Sequence, residues 1–221
     1  MTVHLQTEIE NLKKDILSLV AVVEENVGRA VKSIENRDSR LGEKAIEVDN
    51  EIDRREVEIE ENCLKILALH QPVAIDLRFI AALLKLNNDL ERIGDLAVNI
   101  AERAIYLAKT EKTDISFDYR EMTQKTEAML KKSFDSFVDM NAELAREVID
   151  SDDEVDEIER RIVAKTEKAI RQHPDQVDRL LHHMFVARHL ERIADHATNI
   201  AEDVIYMVEG EIVRHWEKRA K

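Results

Sequence analysis

Asp49 and Asp53, Glu91 and Asp95, Asp152 and Asp156, and Glu191 and Asp195 are acid pairs set four positions apart. In a helix that spacing puts both side chains on one face, where like charges repel by about 0.2–0.5 kcal/mol. Asn99 and Asn199 continue the second and fourth pairs at the same interval, and each amide can add a carbonyl oxygen. Sets of carboxylate and amide oxygens suit hard cations rather than thiolate-seeking metals. The candidate ligands are therefore Asp49, Asp53, Glu91, Asp95 and Asn99, and Asp152, Asp156, Glu191, Asp195 and Asn199. The cation expected is divalent or iron-type (Fe, Mn, Mg or Zn), with its identity left open. Spacing by itself leaves a second reading standing. Acid pairs are common on solvated helix faces, and Arg92 and Arg192 are neighbours able to form surface ion pairs worth ~0–1 kcal/mol.

What favours a site is duplication. The segment Glu91 to Leu107, ERIGDLAVNIAERAIYL, returns as Glu191 to Met207, ERIADHATNIAEDVIYM, with 11 of 17 positions identical. Upstream, Val48-Asp49-Asn50-Glu51-Ile52-Asp53 is echoed by Ser151-Asp152-Asp153-Glu154-Val155-Asp156. Both halves thus carry the same two acidic motifs in the same order, as an internal repeat does. On a helical wheel Leu83, Leu86, Leu90, Ile93, Ala97 and Ile100 form one stripe, and Glu91, Asp95, Asn99 and Glu102 the opposite one. In the second half Leu190, Ile193, Ala197 and Ile200 oppose Glu191, Asp195, Asn199 and Glu202. A core accounts for the apolar stripe; the acidic stripe is expected to face outward.

The elements that must position these residues are helices. Only 4% of residues are aromatic, 36% are charged and 44% hydrophobic, with four Gly and two Pro, a composition suited to long amphipathic helices. Breakers and caps predict helices over 4–36, 39–69, 73–109, 116–139, 142–172 and 174–209, with Asp38 or Ser39 capping the second and Ser116 the fourth. The expected fold is all-α: two tandem, pseudo-symmetric three-helix bundles of antiparallel helices, over 1–112 and 113–221. Short connections between the helices enforce that arrangement.

A net charge of −14 excludes nucleic acid as a main ligand. The single cysteine, Cys63, reads as a core residue. The first ten residues lack the basic and apolar regions of a signal peptide, and no apolar run is long enough to span a bilayer, so a soluble, cytoplasmic protein is expected. His182, His189 and His196 recur every seven residues opposite Ala82, Asp89 and Leu96 of the first half. They read as a partly buried or interfacial polar row rather than as ligands. No Glu-x-x-His pair, phosphate-cradling Gly loop, G-x-S-x-G or H-E-x-x-H is present, and no nucleophile has a positioned base. A non-enzymatic protein is expected.

HQPVAIDLR at His70 to Arg78, LERIGDLAVNIAE at Leu90 to Glu102 and HLERIADHATNIAE at His189 to Glu202 together resemble the PhoU family, over the whole chain. The resemblance implies three-helix bundles with metal held by acidic motifs on adjacent helices, at the ten positions named above. It implies a negative regulator of the phosphate-starvation response that links the ATPase subunit of a phosphate ABC transporter to a sensor histidine kinase. Such a protein would be a homodimer, meeting the membrane only through its partners. Ala194 for Gly94 and His196 for Leu96 depart from the first-half motif, so the two sites need not share metal or affinity. A helical metal-storage or metal-dependent hydrolytic protein, and a plain dimerisation scaffold, are the alternatives.

Overall fold

The first helix shows how the chain folds. Leu5, Ile9, Leu12, Ile16, Leu19, Val23, Val27 and Ala30 recur every three or four residues and all are buried, so one face of α1 (Val3–Asn36) is committed to the interior. Arg37 then turns into the left-handed region, with φ 51°. Asp38 caps α2 (Ser39–His70), its side chain accepting from the Arg40 amide at 2.9 Å. Gln71, at φ 45°, stops α2 just before Pro72, and α3 (Ala74–Lys109) runs back beside it. The second half contains α4 (Arg120–Val138), α5 (Ala142–Asp150), α6 (Asp152–Gln172), a 3-10 turn at Pro174–Gln176 and α7 (Val177–Glu209). The computed structural model describes residues 3–117 and 119–211. The expected unit ends at Met1 and Lys221 lie outside the described residues. Among these, all regular structure is helical.

Helices α1, α2 and α3 pack on one another, as do α4, α5, α6 and α7, and α3 against α7 joins the two groups. At ~1.5 Å per residue α3 is about 54 Å long. Its seam Leu83, Leu86, Leu90, Ile93, Ala97 and Ile100 is at most 1% exposed, and Leu190, Ile193, Ala197 and Ile200 of α7 match it. Cys63 is fully buried, and burial pushes its thiol up to about 12, which keeps it a protonated core residue.

Two expected boundaries shift. The fourth helix begins at Arg120 rather than 116, so Ser116 is no cap; its carbonyl instead accepts from Lys165. The fifth expected helix, 142–172, is broken at Ser151 into α5 and α6. There the Ser151 hydroxyl donates to the Glu147 carbonyl at 2.7 Å, a local bond that competes with the helix ladder. Asp152, Asp153 and Glu154 then fill the first turn of α6, where the helix dipole favours acids.

Leu90 lies in the α3 seam with no exposed surface. Leu90→Ala should therefore destabilise the chain by about 2–5 kcal/mol, read as a lower midpoint in urea unfolding followed by circular dichroism.

Candidate metal-binding grooves

Antiparallel packing of α2 on α3 brings the two acidic motifs of the first half face to face. The close approach is made at Gly94: a Cβ there would meet Asp49 Oδ1 at 2.9 Å and two carbons of Ile52 at 3.3 Å. Asp49 lies in the resulting groove, and its Oδ1 is buried without a hydrogen-bond partner. Burial, then the charges of Asp53, Asp95 and Glu91, push its carboxyl up to about 6. Glu91 is raised by burial and by Asp95 and Asp53, against the opposing pull of Arg92. Asn99 donates to the Asp95 backbone carbonyl at 2.8 Å, leaving its carbonyl oxygen for another partner.

The second half repeats this arrangement between α6 and α7. Burial and the charges of Asp195 and Asp156 lift Asp152 to about 6, while a hydrogen bond from Thr198 pulls it down. Burial, then Asp195, Asp156 and Glu159, lift Glu191 to about 7; Asp195 is raised by burial and by Asp156. An open cleft of about 380 Å³ runs alongside, lined by Asp156, Glu159, Arg160, Arg188 and Glu191.

The acids therefore gather as their spacing implies, with one difference. Asp53 and Asp195 are exposed, but Asp49, Glu91, Asp152, Asp156 and Glu191 are half-buried in grooves rather than laid out on an open face. Close helix packing is the cause. Among the described residues no three His, Cys, Asp or Glu side chains converge on a single preformed metal position. The donor chemistry nevertheless fits a hard cation: carboxylates with raised pKa values, one orphaned carboxylate oxygen, and a bare Cα that makes room for it.

Comparison with known proteins gives this arrangement its context. The family model described as "PhoU domain" matches residues 16–104 and again 119–204. The chain belongs to the PhoU family. Each PhoU-domain match encloses one groove. The chain is 39% identical over 214 residues to the phosphate-specific transport system accessory protein PhoU homolog of Aquifex aeolicus, covering 97% of each. It is 34% identical over 215 residues to PhoU homolog 1 of Thermotoga maritima, covering 97% of this chain and 93% of that protein. The crystal structure of PhoU from Pseudomonas aeruginosa superposes with a TM-score of 0.91 at 35% identity, over 93% of this chain and 99% of that one. PhoU from Streptococcus pneumoniae superposes at 0.83 and 27%, over 95% and 99%. Among the described residues no helix is long and apolar enough to cross a membrane.

The three histidines fall on the seam between the halves of this PhoU-family chain. The His182 ring stacks on Tyr106 of α3 at 3.7 Å between centroids, and His196 Nδ1 lies 2.7 Å from Asp89 Oδ1. His189 has both ring nitrogens buried and unpartnered; burial, with Arg103, Arg192 and Arg188, takes it down to about 4, so it is neutral. The row is interfacial, and His196 approaches the acidic donors of both halves, its charge acting to lower Glu91 and Asp195. The sequence did not single out Thr198 or His183. His183 bonds the Tyr119 hydroxyl at 2.9 Å, and burial takes it down to about 4. Thr198 and His183 both differ from their counterparts in the other repeat, Val98 and Leu83.

A carboxyl whose folded pKa is raised contributes stability that is present below its unfolded value and lost as pH rises through the folded one. For Asp49 that window runs from about 3.8 to about 6. The stability gained by metal-free Asp49→Asn over the parent chain should therefore grow between pH 4 and 7 and level off above. Paired urea melts across that range check this, and a gain independent of pH would contradict it. The variant comparison is needed because buried His183 and His189, both lowered to about 4, act with the opposite sign over much of the same range.

Proposed function

We propose that this chain is a non-catalytic negative regulator of the phosphate-starvation response that holds metal in its two acidic grooves. The observation that carries the regulatory reading is the match of relatives named as phosphate-specific transport system accessory proteins over nearly the whole chain. Its partners are the ATPase subunit of a phosphate ABC transporter and the phosphate-sensing histidine kinase. It binds both from the cytoplasm, as a homodimer, and biases the kinase toward its silent or phosphatase state. A net charge of −14 suits a protein that follows phosphate through partners rather than by binding the anion.

The groove carboxylates and the two asparagine amides would hold the metal. Asp49, Asp53, Glu91, Asp95 and Asn99 form one set, and Asp152, Asp156, Glu191, Asp195 and Asn199 the other. The cation would neutralise repelling charges and fix the neighbouring helices as a binding surface. The orphaned Asp49 oxygen supports this over a merely solvated face.

Deleting the gene should derepress starvation-regulated alkaline phosphatase in phosphate-rich medium; unchanged repression would refute the regulator reading. Replacing Asp95 and Asp195 together by Asn should strip divalent metal from the purified protein, measured by elemental analysis, with the helical circular dichroism signal retained. Equal metal content in parent and variant would remove these acids from the ligand set.

A further inference from the structure

The open cleft beside α6 and α7 has a counterpart in the first half. The offset that carries Asp152 and Asp156 onto Asp49 and Asp53 carries its lining residues Glu159, Arg160, Val163 and Glu167 onto Glu56, Val57, Glu60 and Leu64. The repeat likewise carries Arg188 onto Asn88. Both arginines of the second cleft are therefore missing from the first, and apolar residues replace one arginine and one glutamate.

These apolar residues are open to solvent: Val57 is 49% and Leu64 52% exposed. On α3, Leu77, which is 44% exposed, and Leu84, packed partly against the core, precede Glu91 at intervals of seven and so share its stripe. The bond from Asn87 to the Glu56 carbonyl at 2.8 Å sets the register of the two antiparallel helices. It puts Leu77 within about 3 Å of the level of Leu64, and Leu84 equally near that of Val57. An apolar strip about two turns long thus runs between α2 and α3.

Acids border it. Glu60 and Glu61 are exposed and Glu56 is half-buried; burial, then the charges of Glu60, Glu91 and Asp53, raise the Glu56 carboxyl. The arginines of α2 are engaged elsewhere, Arg54 with Glu58 and Arg55 with Glu51. A second copy of the chain would press these acids against its own, and an anionic bilayer would meet them with like charge. A cationic partner would not.

Resting on the partner-binding reading above but not on the metal, we propose that the strip between α2 and α3 docks a basic amphipathic helix of a partner protein. Its apolar residues, seven apart, lie on Val57, Leu64, Leu77 and Leu84, and its flanking Lys or Arg side chains meet Glu56, Glu60 and Glu61. The second half, with Arg160, Glu167 and Arg188 in the matching places, does not accept the same helix.

The probe is a fluorescein-labelled helical peptide of Leu and Lys, with its leucines on one face at a seven-residue spacing, titrated with the full chain and read by fluorescence anisotropy. It should bind, while a scrambled peptide of the same composition and a Leu/Glu peptide should bind roughly tenfold or more weakly. Val57→Ser combined with Leu64→Ser should weaken the Leu/Lys peptide by about tenfold or more. Val138→Ser, at an exposed apolar position elsewhere, should leave it unchanged. Glu56→Gln with Glu60→Gln should weaken it and flatten its salt dependence, with thermal unfolding confirming that each variant folds. Equal binding by the scrambled peptide or by the serine variant would overturn the proposal, and the gene deletion would still decide the regulator reading separately. A serine variant that turns a dimer into a monomer in sedimentation, or that loses binding to phosphatidylglycerol vesicles, would assign the strip to a second copy or a bilayer and overturn it as well.

Discussion

Helices α3 and α7 are enclosed on so many sides that little of their surface is left for polar residues. Helix α3 packs against α1, α2 and α7, and α7 against α3, α4, α5 and α6. The hydrophobic burial along their seams, with Leu83, Leu90, Ile93 and Ile100 fully covered, is the interaction on which the other features rest. It fixes the helix rotation, and that rotation confines Glu91, Asp95 and their counterparts to a narrow strip beside α2 or α6. Glu91 and Glu191 are left half-buried there. The raised pKa values of Asp49 and Glu191 follow from partial burial first and mutual repulsion second.

The seam between the halves carries the polar contacts that a pure core would not need. Lys85 of α3 pairs with Asp203 of α7 at 2.9 Å and stands over the Tyr206 ring, while Arg103 of α3 stands over Phe185 of α7. Positions 85 and 185, and 103 and 203, correspond in the repeat. The two contacts are therefore related by pseudo-two-fold symmetry, although their chemistry has diverged into an ion pair and a cation–π contact. Asp89 with His196 belongs to the same seam, and its mates, His189 and Leu96, cannot form such a pair.

Most of the helices and both acidic motifs were legible in the sequence, because periodic burial and duplication are one-dimensional signals. Asp38 and Gln71-Pro72 marked a real junction for the same reason: capping and proline chemistry are local. The depth of the acids was not legible, since it depends on how closely α2 approaches α3, a distance set by Gly94 against Ile52. Nor was the break at Ser151, where the apolar pattern continues unbroken through Val148 and Val155 while the backbone ladder is diverted to a serine hydroxyl.

The histidine row and the acids are mounted on the same two rods. Asp89, which meets His196 across the seam, precedes Glu91 by two residues, and His196 directly follows Asp195. Neither rod has a proline, a glycine pair or an irregular turn between its groove residues and its seam residues, so neither has a joint at which to bend. Re-aiming a carboxylate by rolling its helix necessarily rolls the contact with the other bundle. The two halves are geared together.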